Sequence, residues 1–281
     1  MGATGASGRA QRHPATRVLA NTATTMTGES PKSNEEAGIA RRLAAWGVHF
    51  LTASGAIVAF LALSAIHHGR YDWAFWWMAL AMVIDSVDGS LARAVGVKTV
   101  LPHFDGTRLD DLIDYLNYTI VPVALICAAG RLPPSVALPV AAAVLLASAW
   151  GFCQTDAKTS DGYFKGFPSY WNVVVFYLFM LDTPPFLTAA VLVIFAILVF
   201  VPIYYVYPSR TRHMRTLLIV LGAGWAAGTF IALARFPDPP RSLLLLTLLY
   251  PTYYIALSVY LTIQRRQQAP TKSGGVRAAD G

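Results

Sequence analysis

The sequence predicts an all-α integral membrane protein with about eight transmembrane helices. Of its 281 residues, 55% are hydrophobic and only 13% are charged, whereas soluble proteins carry about 25% charged residues. The apolar residues also fall into segments whose lengths approach the roughly 20 residues that a spanning helix needs. The two cysteines, Cys127 and Cys153, lie in apolar runs and indicate neither a disulfide framework nor a zinc site.

Eight apolar segments are candidate spans. In chain order they are Leu43–Ile66, Tyr71–Ile84, Leu109–Gly130, Ser135–Cys153, Tyr170–Leu181, Pro185–Tyr205, Thr216–Ala234 and Leu243–Ile263. Residues 1–40 and 267–281 lack such runs, and we expect them to be disordered tails around a transmembrane domain at residues 41–266.

The distribution of basic residues predicts the orientation of these spans. Of the 22 Lys and Arg residues, 18 lie in the tails and in alternate connections, and 4 lie in the remaining connections. Cytoplasmic connections carry the excess of Lys and Arg. We therefore expect both termini to be cytoplasmic, together with the connection that follows the second span. Because the basic residues flank apolar segments, the net charge of +7 favours anionic lipid over nucleic acid as a partner.

Six aspartates interrupt the apolar pattern in the segment "DSVDGSLARAVGVKTVLPHFDGTRLDDLIDY", residues 85–115. At 1.5 Å per residue, Asp85, Asp88 and Asp114 lie about 21, 26 and 24 Å from the outer boundary of the membrane. The hydrocarbon core is about 30 Å thick. These carboxylates thus lie at one depth near the cytoplasmic boundary, where an unpaired charge is strongly unfavourable.

The spacing of the aspartates places four of them on converging helix faces. Asp85 and Asp88 are three residues apart, and Asp110 and Asp114 are four residues apart, so each pair shares one face of a helix. Four converging carboxylates predict hard divalent cations, Mg²⁺ or Mn²⁺. The remaining Asp105 and Asp111 point elsewhere, and we expect them to lie at the interface or to cap the third helix.

These residues resemble the motif of the CDP-alcohol phosphatidyltransferase family. The pattern is Asp85-x2-Asp88-Gly89-x2-Ala92-Arg93 followed by Gly106-x3-Asp110-x3-Asp114. Twelve residues, 94–105, separate its two halves, more than is usual in the family. This longer gap, with "LPHFDGTRLDDLIDY" and "SDGYFKGFPSYWN", is similar to the bacterial phosphatidylcholine synthase branch of the family.

The resemblance implies a transmembrane catalytic domain that transfers phosphatidate from CDP-diacylglycerol to an alcohol and releases CMP. It also implies an inner (cytoplasmic) membrane location with the active site facing the cytoplasm. The implied site residues are metal ligands for two ions (Asp85, Asp88, Asp110 and Asp114), a general base (Asp114) and residues that line the cytidine-diphosphate site (Gly89, Ala92, Arg93 and Gly106).

The branch that this chain resembles uses choline as the acceptor. A quaternary ammonium donates no hydrogen bonds and is bound best by aromatic faces, with a carboxylate nearby. Aromatic residues near Asp114 and Asp161 are therefore the candidates for choline binding: Tyr115, Tyr118, Tyr163, Phe164, Tyr170 and Trp171. His49, inside the first span, is expected to be a packed, hydrogen-bonded residue and not a ligand contact.

Three alternatives stay open at this level. A sister transferase would use serine, inositol or glycerol phosphate, although the aromatic segment argues against an anionic acceptor. An ion or proton transporter would distribute polar residues over the full depth of several helices, whereas these aspartates share one depth. A membrane anchor would leave the phased carboxylates unexplained. The expected partners are CDP-diacylglycerol, choline and membrane lipid, without nucleic acid, and the oligomeric state is open, with a homodimer as one alternative.

Overall fold

A computed structural model describes residues 31–156, 163–206 and 215–268 of the chain. The chain divides into two units, Met1–Ala40 and Arg41–Gly281. Of the first unit only residues 31–40 are described, and they are helical. The tails expected to be disordered, apart from residues 31–40 and 267–268, lie outside the described residues, as does Asp161.

The described residues are mostly helical, and each of the eight predicted segments contains a helix. The α-helices are α1 (Pro31–His67), α2 (Tyr71–Val95), α3 (Val97–Val100), α4 (Gly106–Asp114), α5 (Val121–Ala128), α6 (Ala137–Phe152), α7 (Trp171–Met180), α8 (Pro185–Leu198), α9 (Arg215–Ala234) and α10 (Arg241–Gln268).

The helices identify a membrane protein. Among the described residues, four helical stretches are long and apolar enough to cross a bilayer: Gly38–His67, Gly106–Ala128, Thr216–Ala234 and Arg241–Arg265. Three further apolar helices, α6, α7 and α8, are shorter. Large apolar side chains on the outside of the helices are exposed, among them Phe50, Leu138 and Phe186. Exposed apolar faces of this kind suit contact with lipid.

Most residues of helix α7 are buried. It is apolar on all sides, as expected for a helix surrounded by others. Trp171, at its start, is fully buried, and its indole nitrogen donates a hydrogen bond of 2.6 Å to the Ser148 hydroxyl on α6. With ten residues, α7 is only about 15 Å long. Its neighbours therefore enclose a short helix that does not reach across a bilayer on its own.

The third predicted span is not a regular α-helix. A π-helical turn, Tyr115–Ile120, separates α4 from α5. Pro122 is the second residue of α5, just after this turn. Proline has no amide hydrogen, and its ring clashes with the carbonyl four residues earlier in a regular α-helix. The wider turn accommodates the proline and rotates Asn117 and Tyr118 relative to the aspartates of α4.

A small antiparallel ribbon corrects the prediction that the protein is entirely α-helical. Strand β1 (Tyr163–Lys165) pairs with β2 (Tyr204–Val206), so two connections that are distant in sequence meet. The Tyr204 amide donates to the Thr262 hydroxyl of α10 at 2.8 Å, which joins the ribbon to that helix. On β1, a hydrogen bond from the Lys165 ammonium lowers the pKa of the Asp156 carboxyl.

Candidate active site

An acidic cluster lies where α2 and α4 meet. Asp85, Asp88 and Asp110 each offer a carboxylate oxygen, and these three oxygens lie within 4.8 Å of one another. The first two residues are one helical turn apart on α2, and the third is in the second turn of α4. Carboxylate oxygens are the donors that Mg²⁺ and Mn²⁺ prefer, and two such ions lie about 3.5–4 Å apart in two-metal sites. The donor set thus fits hard divalent cations.

The connection between α2 and α4 covers the cluster. Gly96 ends α2 in a left-handed conformation (φ +72°), and its amide donates to the Ala92 carbonyl at 3.1 Å. A left-handed C-terminal residue is usually glycine because it has no Cβ to clash. The chain then forms α3 and turns back at residues 101–105. The twelve-residue gap noted in the sequence is therefore a structured wall.

This wall forms one side of a cavity of about 800 Å³ that reaches the acidic cluster. A volume of this size is typical of sites for drug-sized ligands and cofactors. Cationic and neutral donors, Arg93, Lys98 and His103, line it together with the three carboxylates. Basic groups opposite bound cations would suit a ligand with two phosphates. The cavity also contains Gly89, Ala92 and Gly106, so all four residues predicted for nucleotide binding lie on its wall.

The start of α4 is held by its cap. The Asp105 carboxylate accepts hydrogen bonds of 3.1 Å from the amides of Thr107 and Arg108. A side-chain oxygen at this position satisfies amides that have no partner inside the helix. Of the two places expected for Asp105, the interface or the cap of the third helix, the cap is confirmed. Because the cap determines where α4 begins, it also determines the turn that presents Asp110.

A narrow second cavity continues from the cluster and is lined by Asp114 as well as Asp85, Asp88 and Asp110. Asp114 is not among the three residues whose oxygens approach within 4.8 Å. The Tyr118 hydroxyl lies in the same cavity and donates a hydrogen bond of 2.8 Å to Asp85. The four predicted aspartates thus share one site, with three close together and Asp114 beside them.

The six aromatic residues predicted for choline binding do not come together. The Tyr118 and Tyr170 rings are 6.2 Å apart, next to Asp85, and Tyr163 lines the larger cavity. The Arg265 guanidinium already covers the Tyr163 ring at 3.8 Å. The other three residues make packing contacts away from the cluster: Tyr115 donates to the Leu145 carbonyl, Phe164 packs on the hydrophobic core, and Trp171 is buried under α6.

Helix α1 contributes residues that the sequence motif does not contain. The Thr52 hydroxyl donates to the Asp88 carboxylate at 2.7 Å, and His49 lines the cavity beside it. The expectation that His49 is hydrogen-bonded is wrong for its Nε2, which is buried without a hydrogen-bond partner. The sequence did contain a signal for this contribution of α1. His49 and Thr52 are polar, lie three residues apart and share one face of an apolar span. Polar residues inside membrane segments often mark functional sites.

Gly106 is a position where the packing allows no side chain. A Cβ atom there would lie 2.5 Å from Cε1 of His49, which is itself buried. We expect Gly106→Ala to displace α4, and a displacement of 1 Å in such a site lowers turnover by about 100-fold. The measurement is the turnover of the purified variants at equal amounts of folded protein.

The matched control for this substitution is Gly47→Ala on α1, where no atom lies within 4 Å of the added carbon. This variant should keep wild-type turnover and thermal stability. Wild-type turnover in Gly106→Ala would show that the close contact with His49 does not position α4.

Comparison with known proteins identifies the family. Residues 48–203 match the family described as CDP-alcohol phosphatidyltransferase. A Legionella pneumophila protein named phosphatidylcholine synthase is 42% identical over 226 residues, covering 78% of this chain and 89% of the relative. Proteins of the same name from Legionella bozemanae and Mesorhizobium japonicum are 41% and 38% identical, covering 74% and 68% of this chain and 99% and 71% of the relatives. Residues 48–203 contain the whole motif and every residue that lines the large cavity. The resemblance seen in the sequence is confirmed: the chain belongs to the CDP-alcohol phosphatidyltransferase family.

Proposed function

We propose that this protein transfers the phosphatidyl group of CDP-diacylglycerol to choline, giving phosphatidylcholine and CMP in a reaction that depends on divalent metal ions. The observation that carries the reaction class is the acidic cluster of Asp85, Asp88 and Asp110 at the end of a large cavity, in a chain of this family. The acceptor is supported by the relatives, which are named phosphatidylcholine synthase and are 36–42% identical.

Asp85, Asp88, Asp110 and Asp114 would hold two ions, Mn²⁺ or Mg²⁺. Bound ions would neutralise the diphosphate and stabilise the charge that develops on departing CMP. Asp114, beside the cluster, would accept the proton of the choline hydroxyl as the oxygen attacks phosphorus. Its place in the narrow cavity, beside the three closely spaced carboxylates, supports this division of roles.

The nucleotide would occupy the larger cavity. Gly89, Ala92 and Gly106 present little or no side chain there, so phosphates and sugar can approach the backbone. Arg93 lines the same wall, and its guanidinium is anchored by a hydrogen bond of 3.0 Å to the Ser90 hydroxyl. A planar guanidinium can bind phosphate oxygens in bidentate fashion. The diacylglycerol chains would then extend into the surrounding lipid.

Choline would bind on the side of the cluster where Tyr118 and Tyr170 lie. Their rings and the neighbouring Asp85 combine aromatic faces with negative charge, which is what a quaternary ammonium needs. Tyr170 is 41% exposed, so its ring is accessible to a ligand. We do not extend this role to Tyr115, Phe164 or Trp171, because their side chains are used in packing.

Substitution of Tyr170 tests the acceptor side. We expect Tyr170→Leu to raise the KM for choline by about 3-fold to 30-fold, because a cation over an aromatic ring gains that much affinity. The KM for CDP-diacylglycerol should not change. Tyr170→Phe is the matched control because it keeps the aromatic face, and it should retain the wild-type KM. Equal choline KM values in all three proteins would remove Tyr170 from the acceptor site.

The direct test of function supplies labelled choline, serine, inositol and glycerol phosphate separately to membranes with CDP-diacylglycerol and Mn²⁺ or Mg²⁺. We expect only choline to enter lipid, with release of CMP, and we expect a chelator to stop the reaction. If another alcohol is incorporated instead of choline, the family reaction is supported and the assignment of choline as the acceptor is rejected. Absence of any CMP release in the presence of all four acceptors would reject the transferase itself.

We further propose that the chain crosses the cell inner membrane eight times, with both termini and the active site at the cytoplasmic face. The excess of basic residues in alternate connections supports this arrangement. Helices α6, α7 and α8 are short, so their crossings would depend on packing in the bundle. Labelling of single cysteines introduced at Thr107 and Arg131 distinguishes the two faces, and labelling of Thr107→Cys from outside intact cells would contradict the orientation.

A further inference from the structure

Two hydroxyl groups from outside the family motif reach the carboxylates of α2. The Thr52 hydroxyl on α1 donates to Oδ2 of Asp88 at 2.7 Å. The Tyr118 hydroxyl on the π-helical turn donates to Oδ2 of Asp85 at 2.8 Å. These distances are typical of hydrogen bonds from hydroxyls to oxygen acceptors. Asp85 and Asp88, the two clustered aspartates of α2, are thus each held by a separate neighbouring element.

The Thr52–Asp88 hydrogen bond is buried, and the Tyr118–Asp85 hydrogen bond is partly buried. Thr52 is 7% exposed, Asp88 5% and Tyr118 8%. Away from water a hydrogen bond to a carboxylate is electrostatically stronger, and its loss leaves a buried group unsatisfied. The two hydroxyls therefore restrict the rotation of the carboxylates far more than a surface hydrogen bond would.

We propose that Thr52 and Tyr118 are positioning residues that orient the carboxylates of Asp88 and Asp85 for metal binding. A hydrogen bond to one oxygen fixes the plane of a carboxylate and determines where its other lone pairs point. Residues that orient metal ligands in this way change metal affinity by about 10-fold to 100-fold when they are lost. This inference rests on the metal site of the proposed function, and it adds a role for α1 and for the π-helical turn.

The π-helical turn explains how Tyr118 can take this position. Asp110 and Asp114 lie on one face of α4, and in a regular helix Tyr118 would continue that face. The wider turn shifts the register after Tyr115 and is anchored by Asn117, whose amide donates to the Gly55 carbonyl at 3.0 Å. Tyr118 is thereby placed with its hydroxyl on Asp85 and its ring beside Tyr170.

The test is a titration of purified protein with Mn²⁺ alone, followed by the electron paramagnetic resonance signal of the free ion. We expect Thr52→Val, which has the same shape but no hydroxyl, to raise the dissociation constant by about 10-fold to 100-fold. Thr52→Ser keeps the hydroxyl and should bind Mn²⁺ as the wild type does. Tyr118→Phe should weaken Mn²⁺ binding to a similar extent, because it removes the hydroxyl and keeps the ring beside Tyr170. This variant provides the test if Thr52→Val does not fold.

The matched control is Thr188→Val on α8, another buried threonine, whose hydroxyl bonds to the Thr183 carbonyl away from the site. This variant should bind Mn²⁺ normally. The inference is overturned if Thr52→Val and Tyr118→Phe keep wild-type affinity, or if Thr188→Val weakens binding as much as they do. Absence of Mn²⁺ binding in the wild type would remove the metal site together with this inference. If the variants differ in Mn²⁺ affinity as expected but the protein does not incorporate choline into lipid, only the choline assignment is rejected.

Discussion

Asp114→Asn is expected to lower the rate of transfer to choline by about 10²-fold to 10⁴-fold, the contribution of a positioned general base. Asparagine has the shape of aspartate and keeps one oxygen that can contact a metal ion, but it cannot accept the proton of the acceptor. Asp114 lines the narrow cavity beside the acidic cluster and is not one of the three closest carboxylates. Mn²⁺ binding and CDP-diacylglycerol binding should therefore survive at least in part.

The measurement for this variant is a single-turnover assay of CMP release with choline, together with Mn²⁺ titration. Asp111→Asn is the matched control, because it makes the same change on the same helix at a residue that lines neither of the two described cavities. Asp111→Asn should transfer at nearly the wild-type rate. Full activity in Asp114→Asn would exclude Asp114 as the base, and loss of Mn²⁺ binding in this variant would make it chiefly a metal ligand.

Asp88→Ala is expected to abolish metal binding and activity together, with turnover lowered by more than about 100-fold. Loss of a residue that only orients a metal ligand lowers affinity or activity by about 10-fold to 100-fold, so loss of a ligand should have a larger effect. Among the three clustered carboxylates Asp88 is the buried one, at 5% exposure. Its removal takes away a ligand and leaves the Thr52 hydroxyl without its carboxylate acceptor. Excess Mn²⁺ should restore little activity, because the missing oxygen cannot be replaced by mass action.

The control for Asp88→Ala is Asp72→Ala, at the opposite end of the same helix. Asp72 forms an ion pair of 2.9 Å with the exposed Arg70, and exposed pairs contribute little to stability. This variant should fold and transfer normally. The metal dependence of the rate is the decisive readout, and an Asp88→Ala protein with the wild-type dependence on Mn²⁺ would show that Asp88 is not a ligand.

The sequence predicted the helices well where local pattern controls structure. The lengths of the apolar segments predicted eight helices, and each predicted segment contains one. Helical spacing predicted that Asp85, Asp88 and Asp110 lie on faces that meet, and their carboxylates do lie close together. The cap of the third helix, which the structure shows at Asp105, was one of the two places predicted for this residue. The helices, the shared face of Asp85 and Asp88, and the cap at Asp105 depend on residues within about two turns of one another, so a single helix carries that information. The family followed because its motif is built from the same local spacings.

The features that were missed depend on contacts between distant parts of the chain. Thr52 and Asp88 are 36 residues apart, and Tyr118 and Asp85 are 33 apart, so no local spacing relates the donor to the acceptor. The ribbon joins residues 163–165 to residues 204–206, which neither segment shows alone. Trp171 is an aromatic residue of the kind that could contact choline, but the packing of α7 buries it against Ser148. The type of chemistry is therefore encoded locally, in carboxylates phased on two helices, whereas the partner of each carboxylate and the accessibility of each aromatic ring follow from how the helices pack.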